Sequence, residues 1–130
     1  MLLPVACVEG AIVSMRLLLE LLLLASDLSG YPVPAELPTV AIVAPEEMPC
    51  ACRGAHVRGQ VWIDTTLALD RPFGRSVLVH EFTHFLQEQA LGNGNAGEQA
   101  RRETEAVGVQ NRYLSFQGVA VRAASWSSDE

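Results

Sequence analysis

The stretch SVLVHEFTHFLQ, residues 76–87, decides the fold prediction for this 130-residue chain, because it places an HExxH motif inside a helical pattern. His80 and His84 are two of the chain's three histidines. An α-helix has about 3.6 residues per turn, so the two side chains share one face and can bind the same metal ion. Glu81 is rotated by about 100° from His80 and lies beside the ion. There it can accept a proton from an attacking water, so the motif predicts a metal site with a general base.

Zinc is the metal that this donor set predicts. Zn²⁺ suits two neutral imidazoles and a carboxylate, with a fourth position left to water. The helix itself is predicted to start at Val77 with Ser76 as its N-terminal cap and to end at Gly92. The alternative is that the histidines are an ordinary buried pair and that the motif is a chance match.

A third, acidic ligand has to come from elsewhere. A second helix is predicted from about residue 98 to 114, and it contains Glu98, Glu103 and Glu105. Spacings of three or four place one set of residues on a single face: Ala100, Glu103, Val107, Gln110 and Leu114. Glu105 shares its side with residues that we expect to be solvated: Arg101, Arg102, Gly108 and Arg112. Glu103 is therefore the predicted ligand, with Glu105 as the alternative.

In these two helices the chain resembles the gluzincins, zinc metallopeptidases with HExxH on one helix and a glutamate ligand on the next. In that class the glutamate commonly begins an E-x-x-A or E-x-x-S pattern, which ETEA at residues 103–106 matches. The resemblance covers about residues 60–114. It implies that peptides or proteins are the substrates and that His80, His84 and Glu103 bind zinc. The metzincin extension is excluded, because residues 87 and 90 are Gln and Ala instead of Gly and His.

The resemblance implies two further features. Larger gluzincins stabilise the oxyanion with a Tyr or His beyond the glutamate helix, and no histidine follows His84, so Tyr113 is the candidate; its alternative role is packing. A strand before the HExxH helix forms the cleft edge in that class, where substrate adds as an extra strand. Residues 60–66 are the candidate edge, and an interior strand is the alternative. Gln87 and Gln110 are predicted either to orient the ligand histidines or to tie neighbouring helices together.

The segments before the motif predict a small, mostly antiparallel sheet. Residues 39–44 form a short apolar run between two prolines, which is typical of a buried strand. Residues 60–69 alternate between apolar and polar side chains, as a half-buried strand does. This strand can pair with an extended piece at residues 55–58 through a turn at Gly59.

Residues 11–28 are almost wholly apolar and predict an N-terminal helix closed by the Gly/Pro turn at residues 30–34. Arg16 and Glu20 interrupt the run, so we expect no transmembrane span, which needs about 20 apolar residues. Residues 15–26 also resemble a signal peptide, and the protein is secreted if they act as one. Glu20 and the lack of an early positive charge favour a cytoplasmic protein. Because the helix is apolar nearly all round, homo-oligomerisation through residues 11–28 is a further hypothesis.

The charge and the cysteines indicate which partners and which cysteine chemistry to expect. A net charge of −6 and a pI near 5.0 argue against nucleic acid as a partner. Cys50 and Cys52 are predicted to be free thiols, because their spacing is tight for a mutual disulfide. The alternatives are a disulfide from either of them to Cys7 and a Cys-x-Cys metal site that includes His56.

These observations predict one α+β domain over residues 1–130, a minimal zincin-like fold. It consists of the apolar helix, the small mostly antiparallel sheet, the HExxH helix and the glutamate helix. The predicted function is zinc-dependent peptide hydrolysis with Glu81 as general base. The alternative is a catalytically silent, metal-stabilised binding or regulatory module, which could dimerise through the N-terminal helix.

Overall fold

A computed structural model describes residues 7–8, 11–12 and 14–118, and the predicted single domain extends beyond these residues at both ends. They form a small α+β domain, as predicted, with three α-helices and a three-stranded sheet. The elements are β1 (Cys7–Val8), β2 (Ala11–Ile12), α1 (Met15–Ser29), β3 (Thr39–Val43), β4 (Gly54–Val57), β5 (Gln60–Asp64), α2 (Pro72–Leu91) and α3 (Ala96–Phe116). Among these described residues, the short strands β1 and β2 pair only with each other.

The three-stranded sheet has the order β3-β5-β4. Strands β4 and β5 form the predicted antiparallel hairpin, and its turn residues Arg58 and Gly59 have φ angles of 50° and 81°. Positive φ at both positions is what a two-residue hairpin turn requires. Strand β3 runs parallel to β5, so the sheet is mixed and not mostly antiparallel. Residues 44–59 connect β3 to β5 and are long enough for a parallel crossover, which needs a dozen residues or more.

Strand β5 lies in the centre of the sheet, so the prediction that residues 60–66 form a cleft edge is wrong over Gln60–Asp64. Alternation along a strand predicts which side chains share a face, but it says nothing about which strands pair with its edges. The edge strand next to α2 is β4, and its second edge has no strand partner within the described residues.

Helix α1 forms within the predicted segment and packs against α2, but it begins at Met15, and Ala11–Ile12, which were predicted as part of the helix, form strand β2. The Ser14 hydroxyl caps its first turn by accepting from the backbone N–H of Arg16, and Gly30 ends it with a left-handed φ of 88°. Its buried face consists of Leu18, Leu21, Leu22 and Ala25. Leu23, on the other side, is 49% exposed. No helix in the described ranges is long and apolar enough to span a membrane.

Helix α2 is the centre of the domain, because α1, α3, β4 and β5 all pack against it. It begins at Pro72, five residues before the predicted start, so the prediction that Ser76 caps it is wrong. Proline fits the first helical position because it has no N–H to satisfy. The Ser76 hydroxyl instead donates to the Phe73 carbonyl inside the helix, at 2.6 Å. Gly92 ends the helix, as predicted, with a φ of 74°.

Helix α3 begins with a capping box, in which the side chains of Asn95 and Glu98 each accept from the other residue's backbone N–H at 2.8–2.9 Å. The helix agrees with the predicted range, but its buried face is rotated. Ala100 is exposed and Arg102, expected in solvent, is 9% exposed. The buried residues are Arg102, Ala106, Val109, Gln110, Tyr113 and Leu114. Helical spacing predicts which residues share a face of α3, but it does not predict which face packs against the core.

Cys50 and Cys52 form a disulfide, so the prediction of free thiols is wrong for these two residues. The chain bends at residues 48–53 and places their Cα atoms 5.2 Å apart, within the range that disulfides span. The pairing also excludes a disulfide from either of them to Cys7. The disulfide sulfurs are not thiolate ligands, so the alternative Cys-x-Cys metal site with His56 is not formed.

The first turn of α2 lies against the loop that precedes it, and Gly74 makes this contact possible. A Cβ at Gly74 would collide with the backbone carbonyl of Ala68. We expect Gly74→Ala to lower the free energy of unfolding by about 1–3 kcal/mol, the usual cost of overpacking. The measurement is urea unfolding followed by circular dichroism.

The matched control is Gly108→Ala in α3, where the nearest atom to a new Cβ is 3.9 Å away, at the end of the flexible Arg112 side chain. There alanine should leave stability unchanged or raise it by up to about 1 kcal/mol, since it replaces a helical glycine. Equal stabilities for the two variants would contradict the close contact at Gly74.

Candidate metal centre

His80, His84 and Glu103 converge where α2 packs against α3, as the sequence predicted. The Nε2 atoms of His80 and His84 lie 3.3 Å and 2.8 Å from Oε1 of Glu103. The three potential ligand atoms all lie within 4.8 Å of one another. Glu105, the alternative third ligand, lies outside this group and accepts hydrogen bonds from Tyr31 and Gln87 instead.

The second nitrogen of His84 is held by Gln87. Gln87 Nε2 donates to the carbonyl of Arg102 and to Oε1 of Glu105, both at 2.9 Å. These two atoms only accept, so the amide oxygen of Gln87 must face Nδ1 of His84, at 2.9 Å. Nδ1 therefore carries the proton and donates it to Gln87. The lone pair of Nε2 then faces Glu103.

His80 is oriented in the same way by Gln110. The Ser76 hydroxyl donates its proton to the Phe73 carbonyl, so toward Gln110 its oxygen can only accept. It accepts from Nε2 of Gln110, at 3.1 Å. The amide oxygen of Gln110 then accepts from Nδ1–H of His80, at 2.9 Å. Gln87 and Gln110 thus orient His84 and His80, and the same side chains tie α2 to α3, so both of their predicted roles are present. Metal binding by the two histidines stays a prediction.

This arrangement fits a divalent cation. Two imidazole lone pairs and a carboxylate oxygen face one another, and without a cation such acceptors repel. Zinc bonds of about 2.0–2.1 Å in a tetrahedral site place ligand atoms about 3.3 Å apart, close to the 3.3 Å and 2.8 Å found here. Burial lowers the pKa of His80 despite the neighbouring Glu103, which keeps the imidazole neutral and able to bind metal.

Glu81 is fully buried beneath the edge strand β4. Its position depends on Gly54, because a Cβ there would come within 3.1 Å of Glu81 Oε2 and 2.8 Å of Val77 Cγ1. The backbone of β4 can therefore approach α2 closely only because residue 54 is glycine. The predicted general base therefore lies directly under β4, whose second edge is unpaired within the described part of the chain.

His56 joins the site from β4. From the sequence it was expected only as a possible ligand in the alternative Cys-x-Cys metal site. Its ring packs edge-on against Phe85, and its Nε2 accepts from the Gly59 N–H at 3.2 Å. Burial lowers the pKa of His56 to about 4, and the neighbouring His84 contributes because two imidazolium rings this close would repel each other. The neutral imidazole therefore makes no full ion pair with Glu88, although Glu88 Oε1 lies 3.2 Å away. The signal in the sequence was strand alternation, which puts His56 on the same face as Gly54.

A cavity of about 190 Å³ opens beside His84 and Glu103. Every described residue that lines it is polar or charged, including Arg58 from the hairpin turn and Arg102 from α3. The space next to the candidate metal site therefore offers polar and charged partners to a bound group.

Tyr113 does not join the site. It is 2% exposed in the hydrophobic core, with its hydroxyl near Arg75, and burial raises its pKa. Ten residues separate it from Glu103 on α3, which is about 15 Å along the helix axis. The alternative role, packing at the end of the helix, describes Tyr113 correctly.

Comparison with known proteins adds nothing to these observations, because no family model, no curated protein and no solved structure matches the chain.

The hydrogen bond from His84 to Gln87 predicts a measurable effect on metal affinity. Gln87→Leu removes the acceptor that fixes the His84 tautomer, so zinc affinity should fall about 10–100-fold. Competition with a chromophoric chelator measures this affinity. The matched control is Gln89→Leu, an exposed position on the same helix, which should bind zinc like the wild type. If both variants kept the wild-type affinity, Gln87 would have no role in orienting His84.

Proposed function

We propose that the chain is a zinc-dependent hydrolase of minimal zincin-like fold, acting as a metallopeptidase. The observation that carries this proposal is the convergence of His80, His84 and Glu103, with each imidazole oriented by a glutamine. An HExxH helix packed against a following helix that supplies a glutamate is also the arrangement that the gluzincin resemblance implies.

The chain's own residues divide the chemistry between them. A bound zinc ion supplies a Lewis acid that lowers the pKa of a coordinated water to about 7. Glu81 follows the first ligand directly and is held under β4, so its carboxylate accepts the proton of the attacking water and returns it to the leaving nitrogen. Gln87 and Gln110 keep both imidazoles in the tautomer that can bind the ion.

The free edge of β4 is the proposed binding surface for substrate. An extended peptide can add to Gly54–Val57 as a further strand through backbone hydrogen bonds, which recognise any sequence. This surface lies over Glu81, because Gly54 contacts that side chain. The substrate-binding edge that was predicted at residues 60–66 is therefore proposed at the neighbouring strand, β4.

One observation favours a second function. Glu81 is 0% exposed, and a general base has to reach substrate. The same histidines and glutamate could therefore hold zinc as a structural support in a binding or regulatory module that hydrolyses nothing. A hydrolase has to expose Glu81 when substrate enters along β4, whereas a structural site does not.

Metal content tests the site. Protein purified without added metal and then incubated with zinc should contain one zinc ion per chain by elemental analysis. Glu103→Ala should abolish this binding, because it removes a ligand atom. Glu105→Ala is the matched control and should retain the ion, since Glu105 is not in the ligand group and the Arg102 carbonyl still fixes the amide of Gln87. Loss of zinc in the Glu105 variant alone would reassign the third ligand, and no zinc in the wild type would remove the proposal.

Glu81→Gln separates the hydrolase from the structural alternative. The isosteric amide cannot accept the proton, so cleavage of a broad peptide library should fall at least about a hundredfold while zinc binding persists. The control is Glu46→Gln, an exposed carboxylate on the turn after β3, which should cleave like the wild type. Mass spectrometry of the digested library gives the rates. No cleavage by zinc-loaded wild type would leave the structural module as the function.

A further inference from the structure

Arg102 is a buried cation with few partners. It is 9% exposed, and among the residues that the structure describes its guanidinium makes one hydrogen bond, from Nη1 to the Gly92 carbonyl at 2.7 Å. Within the described part of the chain, no carboxylate lies within the 4.0 Å of an ion pair with it. Buried charges in proteins are almost always paired, and arginine has five N–H donors to satisfy. The remaining donors of Arg102 are suited to an anionic acceptor.

Arg102 lines the cavity beside the metal ligands, and Arg58 lines it from the hairpin turn. Two carboxylates line it too. Glu103 is committed to the metal site, and Glu88 lies 3.2 Å from the imidazole of His56. With a divalent ion bound, the two guanidinium groups and the ion outweigh the two carboxylates. The cavity is then net positive.

The size of the cavity limits what can enter. A volume of about 190 Å³ admits a small ligand or one side chain, since a cavity of about 150 Å³ already holds benzene. Asn93 and Gln99 add amide groups to its wall, and every described residue that lines it is polar or charged. The chemistry that fits is a carboxylate, which guanidinium groups bind through paired N–H···O bonds.

We propose that this cavity binds a carboxylate of the substrate on Arg58 and Arg102. The enzyme then selects peptides with an acidic side chain or a free C-terminal carboxylate next to the scissile bond. This inference rests on the proposed function, because it takes the zinc site as the place where the peptide is cleaved.

The test compares two small zinc-binding ligands that differ only in charge. The monohydroxamate of succinic acid carries a free carboxylate, and the hydroxamate of succinamic acid carries a neutral amide of the same shape. Isothermal titration calorimetry on the zinc-loaded protein should show at least about tenfold tighter binding of the carboxylate ligand, as charge-assisted hydrogen bonds give. Equal affinities for the two ligands would overturn the inference.

Substitutions of Arg58 and Arg102 test whether these arginines cause the preference for the carboxylate ligand. Arg58 is exposed in the turn, so Arg58→Gln should fold normally and reduce the preference for the carboxylate ligand without weakening the neutral one. Arg102→Gln should do the same more strongly. Arg101→Gln is the matched control, because Arg101 is exposed on α3 and does not line this cavity. An unchanged preference in both the Arg58 and the Arg102 variants would overturn the assignment.

Peptide competition distinguishes the two sources of the carboxylate. In zinc-loaded Glu81→Gln protein, a tetrapeptide amide with one internal aspartate and an all-alanine tetrapeptide with a free C-terminus compete against the neutral hydroxamate. The better competitor identifies the source, and equal competition by both means that either carboxylate is accepted. If neither competes better than the all-alanine tetrapeptide amide, the inference fails.

Zinc content is measured before any ligand is added, so the two levels of failure are distinguishable. A protein without zinc overturns the proposed function, and the carboxylate inference with it. A zinc-loaded protein that binds the charged and neutral ligands equally overturns the carboxylate inference alone.

Discussion

The hydrogen bonds that fix α2 against α3 are the interactions on which the candidate site depends. Gln87 on α2 donates to the Arg102 carbonyl on α3 and accepts from His84, so one side chain sets both the position of the helices and the orientation of a ligand. Gln110 makes the reverse connection, from α3 to His80 on α2. A slip of either helix by one residue would turn the glutamines away from the histidines, because neighbouring positions on a helix differ by about 100°.

These polar groups lie inside the core, where each of them needs a hydrogen-bond partner. His80 and Gln87 on α2 and Gln110 on α3 are each 1% exposed or less, and α2 is the helix that the neighbouring elements contact. A buried polar group left without a partner costs about 1–3 kcal/mol, so the network stabilises the fold only when each of its bonds is formed. These hydrogen bonds also hold the side chains of the site in fixed orientations. Acceptors that are already held in place lose little conformational entropy when they bind a metal ion.

Local spacing explains which features could be predicted from the sequence. The pairing of His80 with His84 rests on helical geometry within about one turn, and the structure agrees. The choice of Glu103 over Glu105 rests on the predicted face of α3 and on the ETEA pattern. Glu103 does lie beside the histidines, although the buried face of α3 is rotated from the predicted one. Features that depend on distant neighbours were predicted wrongly or missed. The central place of β5 depends on where β3 pairs, and the burial of Arg102 depends on where α1 and α2 lie. No local pattern in either segment contains that information.

Strand β4 connects the separate parts of the site. Its backbone offers a free edge, Gly54 lies over Glu81, and His56 lines the cavity that contains Arg58 and Arg102. The charges in that cavity also connect it to the metal. Without a cation, Glu88 and Glu103 balance the two arginines, and an added carboxylate gains little. With a divalent ion the balance would become positive, so on these proposals zinc would favour carboxylate binding, and by thermodynamic linkage a bound carboxylate would strengthen zinc binding to the same degree. In the proposed enzyme, metal retention and substrate selection would both depend on the charge balance of this cavity.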